Sequence, residues 1–391
     1  MKYFILTFIL ISAAVCEAQI VSTILNEPCG DDFDLDASGN IISTDYGGNK
    51  VRRITPAGEV TVLLDGYTNL GAVELGDSGT VVAANWNNGF IIKIWPGGNV
   101  DTVMRGLLGP SGLIRDADWT YYINTNMVGG GSINQVRKVR FYSTDTVFAS
   151  GQPMHYGAGM AFDEEGNLYI ANLFDGRIIR ISPLGDMSLF ATIPGGPNQT
   201  PVTGYMDHSN GNLFVCNLKD NRIYKISTDI SNPNYTVPII IAGTGAPGYV
   251  DGPALTSQFF HPVAITASLT GDTLYIADGE GPSMRLRMIR GISTPVNQIG
   301  SEIPEKFALL QNYPNPFNPE TLIRFEVANR SKVKLSVIDL LGKEVALLVE
   351  NTLEPGDYEY RWYAGNITGG IYFFRMEADN FIVTKKSVLL K

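Results

Sequence analysis

One phrase of this chain is written six times over. Residues 166–181 read GNLYIANLFDGRIIRI, residues 220–226 read DNRIYKI, and residues 48–54 read GNKVRRI. Aligned on their basic–apolar ending, the copies close on Ile54, Ile94, Val139, Ile181, Ile226 and Ile289, at intervals of 40, 45, 42, 45 and 63 residues. Each copy follows one plan. A short apolar strand leads to a turn such as DASGN (36–40) or DEEGN (163–167), then to a β-branched and aromatic strand, LYIAN, LFVCN or LYIAD. A second polar turn leads to a strand such as RIIRI, and a fourth strand follows, VTVLL from Val60 or SLFAT from Ser188. Short strands joined by Gly, Asn and Asp turns are antiparallel hairpins. A four-stranded sheet cannot cover both its faces alone, so repetition at this period predicts sheets stacked radially around a channel.

The sixth copy runs out after three strands. IVSTIL (Ile20–Leu25) matches the missing fourth and precedes the first copy. It is expected to pair with Arg285–Arg290 and close the ring, which removes an exposed sheet edge. The fold class is therefore all-β, a six-bladed β-propeller over residues 19–292 closed by its N-terminal strand. Residues 293–305, with Pro, Asn, Gln and Ser and no apolar period, read as a linker. In residues 306–391 three prolines, Pro314, Pro316 and Pro319, exclude a helix or central strand. Period-two patterning then returns in TLIRFEV, VKLSVIDLLG, YEYRWYAG, GIYFFRMEA and FIVTKKSVLL, which predicts a small immunoglobulin-like β-sandwich.

Residues 1–18 read as an export signal. Lys2 supplies the positive end, residues 3–15 are an apolar run too short to span a bilayer, and Cys16-Glu17-Ala18 is an acceptable cleavage site. Cys16 as a lipoprotein cysteine is the alternative, against which stands the bulky Val15. No later stretch reads as a membrane helix. Cys29 and Cys216 are too few for a disulfide framework and read as two separate buried thiols. The net charge of −10, nearly all carried upstream of residue 301, argues against nucleic acid and anionic membranes as partners.

Several strings imitate chemistry. Residues 243–248 fit GxGxxG, but Pro247 and YVDGP follow where a dinucleotide site needs a helix. Gly76-Asp77-Ser78-Gly79 occupies a hairpin turn and lacks a His partner. Asp45, Asn85, Asn172, Asn217 and Asp278 end the second strands, where Asx side chains bond nearby backbone. Beside them Tyr46, Trp86 and Phe174 could present aromatic faces on one rim, to a glycan, peptide or protein ligand. The positions preceding the inner strands read Asp31, Gly71, Ser111, Ala158, Thr203 and Val263; Ser111 and Thr203 join the rim. Only blade one brings carboxylates there, Asp31 with neighbours Glu27 and Asp32, so the channel reads as poor in catalytic groups.

The pattern GN[IL]…[ND]…N-x-[RK]-x-x-[RK]-I and the stretch AGTGAPGYVDGPALTSQFFHPVAI from Ala242 resemble the NHL-type six-bladed propellers of the SMP-30/gluconolactonase-like superfamily. That resemblance implies the fold strongly and the function weakly. The zinc histidines of its lyases follow the proline of the inner strand, and His155, His208 and His261 do not. Its calcium-type lactonases and esterases imply Ca2+ or another divalent cation held in the channel, with Glu27, Asp31 and Asp32 as the ligand seeds. The tail resembles the type A C-terminal sorting domain of the type IX secretion system. The matching residues are NYPNPFNP with Pro314, Asn315, Pro316 and Phe317, then DLLG with Gly342, GIYF with Gly370, and Lys385-Lys386. It implies that the secretion machinery is a partner and that export runs through the periplasm to the outer surface or beyond.

Overall fold

The computed structural model describes residues 19–126, 134–195, 203–230, 232–269, 271–292, 296–300, 303–318, 320–364 and 367–390. Residues 1–18 and residues 127–133 of the third repeat lie outside them. The chain divides into two compact units, Gln19–Ile292 and a second that begins at Ser293.

In the first unit six sheets follow one another in chain order. Their innermost strands are Asp32–Leu35, Leu70–Leu75, Pro110–Arg115, Gly157–Phe162, Thr203–Ser209 and Pro262–Ala267. Each blade is an antiparallel meander of four strands. The exception is blade six, which takes its fourth strand from Ile20–Leu25. That strand pairs antiparallel with Arg285–Arg290, with Ile20 opposite Arg290 and Leu25 opposite Leu286. A short piece, Gly252–Pro253, adds to its outer edge.

The packing explains why the second strands are apolar throughout. In LYIAN, Leu168 and Ile170 pack with Tyr122 and Val136 of blade three, while Tyr169 and Ala171 pack with Leu213 and Val215 of blade five. Alternate residues serve opposite neighbours, so every position is buried. Six such cores lie between successive blades. The sixth joins Phe33, Leu35 and Ile41 of blade one to Ala264, Tyr275 and Leu286 of blade six, so the ring is closed by packing as well as by the strand. Cys29 and Cys216 are free, buried and in different cores.

The second unit is a sandwich of two four-stranded sheets. One holds Val296–Gly300, Gly356–Tyr363, Glu320–Val327 and Ala308–Leu309. The other holds Glu344–Leu353, Ser331–Ile338, Gly370–Ala378 and Phe381–Leu389. Phe317, Phe325, Trp362 and Phe374 lie in the core between them, the last two edge-to-face at 5.3 Å. The segment read as a linker needs correction: Val296–Gly300 is an edge strand of the sandwich, antiparallel to Gly356–Tyr363. Backbone N–H and C=O groups on an open sheet edge can capture a strand that lacks an apolar period.

Candidate functional site

The innermost strand of a blade has no further strand beside it, so its channel-side N–H groups need other acceptors. Three aspartates meet that need in the same way. Asp32 accepts from Phe33 N of its own strand and from Val73 N of blade two, both at 2.9 Å. Asp34 accepts from Leu35 N and from Leu75 N of blade two, both at 2.7 Å. Asp207 accepts from His208 N at 2.7 Å and from Ala267 N of blade six at 2.8 Å, with Thr266 Oγ1 adding a third bond. Glu74 continues the pattern, accepting from Arg115 N of blade three. These carboxylates fasten the inner strand of blade one to blade two, of two to three and of five to six.

They also line a polar cavity of about 90 Å³ in the channel. Burial pushes Asp32, Asp34, Glu74 and Asp207 above the usual carboxylate range. The neighbouring charge of Asp34 adds to the rise at Glu74, and the guanidinium of Arg115, 3.3 Å from Glu74, opposes it. The channel holds more carboxylates than the positions read from the sequence: Asp32 is joined by Asp34 and Glu74, three residues beyond Asp31 and Gly71, and by Asp207, four beyond Thr203.

The pairing registers show why. In blades two to six, Leu70, Pro110, Gly157, Thr203 and Pro262 stand opposite the last residues of the second strands, Asn85, Thr125, Asn172, Asn217 and Asp278. Thr203 is therefore one step above the mouth position, which in blade five is Gly204. Thr203 is buried and its hydroxyl donates to Asn172 O at 2.5 Å, so it is not a rim residue. One step further is Tyr205, which the sequence reading passed over. Its hydroxyl faces Gly71 O of blade two and Ser111 O of blade three, the second at 2.9 Å. A residue of blade five thus reaches across the ring. Gly159 provides the room: a Cβ there would stand 2.5 Å from Tyr205 Cα and Met206 N. Enclosure, and then the charges of Asp32 and Asp31, hold the phenol well above its ordinary pKa.

The proposed metal seeds do not come together. Glu27 is exposed. Asp31 accepts from Tyr46 N at 2.6 Å, and burial pushes its pKa up to about 6. Asp32 spends both oxygens on the backbone as described. Among the described residues no three His, Cys, Asp or Glu side chains form a metal-ligand group. The histidines lie apart, each near a carboxylate: His155 by Asp175, His208 by Glu164, His261 by Glu280. The Asx residues brace the loops. Asn85 and Asn217 accept from N–H groups three residues on, while Asn172 and Asp278 accept from His155 N and Phe260 N of the loop entering their own blade.

On the rim, Tyr46 and Phe174 are 40 % and 47 % exposed. Tyr46 OH donates to Asn87 Oδ1, the half-buried Trp86 lies over Gly109, and Phe174 meets Tyr156 edge-on at 5.6 Å. Ser111 Oγ donates to Gly157 O and accepts from Asn124 and Asn126, so it ties blades three and four.

In the sandwich the Pro-rich loop has a definite task. Asn315 accepts from Val388 N at 2.9 Å and donates to Lys386 O at 3.0 Å. Phe317 N donates to Val388 O, and Leu390 N to Phe317 O. The loop of Pro314 and Pro316 therefore covers the edge of the last strand, which carries Lys385 and Lys386, and Phe317 plugs the core beside Trp362. Gly342 ends a turn built on Asp339, and Gly370 opens the strand facing Leu389.

The family model of the secretion system C-terminal sorting domain matches residues 311–390. The tail is a type IX export signal. The chain so marked is cargo of the type IX secretion machinery, delivered to the cell surface or outside. No curated protein matches the sequence. Among solved structures, this secreted chain is similar to an auxiliary nutrient binding protein from Bacteroides thetaiotaomicron, at 15% identity and TM-score 0.57, over 69% of this chain and 76% of that one. A second auxiliary nutrient binding protein, from Bacteroides ovatus, gives 14% identity and 0.55, over 70% and 76%. A gluconolactonase from Xanthomonas campestris gives 14% and 0.52, over 71% and 96%. These likenesses show the β-propeller fold.

Proposed function

We propose that the propeller is a binding module, carried to the outside through the periplasm and engaging a glycan, peptide or protein partner with its loop face. The observation that carries this reading is Tyr205, whose hydroxyl spans from blade five to blades two and three. It turns the upper channel into a shallow bowl under the exposed rings of Tyr46 and Phe174. The carboxylates below it are engaged with backbone N–H groups, which leaves them ill-suited to gather a cation that wants six or more oxygens. The nutrient-binding proteins of like fold accord with this reading. The lactonase or esterase alternative requires Ca2+ or another divalent ion held around Asp31 and Asp32.

Titration calorimetry of the full chain with neutral oligosaccharides and unstructured peptides tests the proposal. Binding that survives EDTA and is lost in Tyr46→Ala, Phe174→Ala supports it. Metal-dependent hydrolysis of lactones, lost in Asp31→Asn, would replace it with the alternative.

A further inference from the structure

Blade three breaks the repeat at the opposite end of the ring. In blades one, four and six the turn after the inner strand closes with an N–H to C=O bond three residues back, made by Gly39, Gly166 and Gly271 at φ 78°, 80° and 71°. In blade three the same bond is made by Trp119, at φ 59°. An aromatic residue in the left-handed region is disfavoured, and such positions persist where the surroundings over-determine them. The surroundings do so here. Asp116 Oδ1 accepts from Asp118 N and Thr120 N, both at 3.0 Å, and Arg140 donates to Thr120 Oγ1 and Asp118 O. The Arg115 guanidinium lies 4.2 Å from the indole centroid, itself fixed by Leu75 O and Glu74.

All this rigidity gains no burial, because Trp119 remains 44 % exposed. Arg115 lies over the ring, which is otherwise partly open to solvent. The next turn of the same blade on the same face also holds an exposed aromatic at positive φ, Tyr142, 82 % exposed at 64°. Beside Trp119 stands Asp118, which is exposed and takes part in the turn through its backbone N and O.

We infer that Trp119 is the platform of a carbohydrate site on the face opposite the loop bowl, with a pyranose ring stacked on the indole and the exposed Asp118 accepting hydrogen bonds from its hydroxyls. The chemistry favours a sugar over a protein partner. A protein hot spot sits in an apolar, desolvated surround, and the neighbours of Trp119 are Arg115, Asp116, Asp118, Thr120 and Arg140. One flat apolar surface ringed by hydrogen-bonding groups suits a sugar, and a preorganised ring loses little freedom on binding. This site does not depend on the loop bowl.

Trp119→Gly is the decisive variant, since it restores the turn of the other blades. The full chain is titrated with cellohexaose, maltohexaose, xylohexaose and mannohexaose, following intrinsic fluorescence and calorimetry. The expected result is saturable binding to one of them, weakened about tenfold or more by Trp119→Gly and unchanged in Tyr46→Ala. The melting temperature of Trp119→Gly should equal or exceed that of the parent chain. Failure of all four sugars to bind, loss of binding in Tyr46→Ala alone, or a clear fall in melting temperature in Trp119→Gly would each overturn the inference. The second of those outcomes would leave the loop-face proposal standing.

Discussion

Both units of this molecule contain strands with nothing beyond them, and they cover those edges with different chemistry. The propeller uses carboxylates: Asp32, Asp34, Glu74 and Asp207 accept N–H groups of the neighbouring inner strand. The sandwich uses an amide and backbone: Asn315 and Phe317 cap Val388 and Lys386. The first solution titrates and the second does not. A cluster of acids in a channel invites a catalytic reading, and the contrast with the sandwich shows an edge-covering task that needs no chemistry at all.

The largest effect is expected where an edge cover is anchored by a buried charge. Arg287 is fully buried, pairs with Asp278 at 2.8 Å and Asp251 at 2.7 Å, and holds Gln258 O and Val250 O. Asp251 in turn accepts from Thr23 N of the closing strand. Arg287→Ala should cost the propeller about 3–5 kcal/mol, the cost of stranding a buried partner, with the sandwich unaffected in urea titration. Next comes Asp207→Ala, which orphans several donors between blades five and six and should cost about 1–3 kcal/mol. Asp207→Asn keeps the acceptor and should cost less; an equal loss from both would show that charge rather than edge covering matters. In the sandwich, Asn315→Ala removes two edge bonds at the surface and should cost about 1–2 kcal/mol, read from the unfolding of that unit.

The subtlest difference is in pH. The buried carboxylates hold their protons more tightly folded than unfolded, with Asp31 and Asp278 raised from 3.8 to about 6. Their contribution to stability is complete below the unfolded value and is lost as pH rises through the folded one. The propeller should therefore melt at a higher temperature at pH 5 than at pH 7.5, and Asp31→Asn should reduce that difference. The sandwich transition should show no such trend from its edge cover.

The ring was legible because burial on two faces writes itself as an apolar run, LYIAN or LFVCN, at a fixed interval. The closing strand was legible because the sixth repeat lacked one. The channel was not. Glu74 and Asp207 sit on inner strands whose alternation is interrupted by register shifts, between Leu70 and Ala72 or Thr203 and Met206, so position counting from the turn slips. Asp34 lies on a regular strand, deeper than the one position read for each blade. Tyr205 could have been found as the one large residue among Ala72, Gly112, Gly159 and Ala264 at matching registers. Trp119 stands in the sequence where other blades place Gly in this turn, but its positive φ and its support by Arg115 depend on geometry. Val296–Gly300 was missed because an edge strand can be held by backbone alone.

The account rests on the channel carboxylates being fasteners between blades. Thermal unfolding of the full chain at pH 5 and pH 7.5, each with calcium and with EDTA, tests this directly. A propeller that melts higher at pH 5 and is indifferent to calcium at both values is the expected result. A calcium-dependent rise in melting temperature at pH 7.5, abolished by Asp32→Asn, would contradict it, because bound cation must stabilise by linkage.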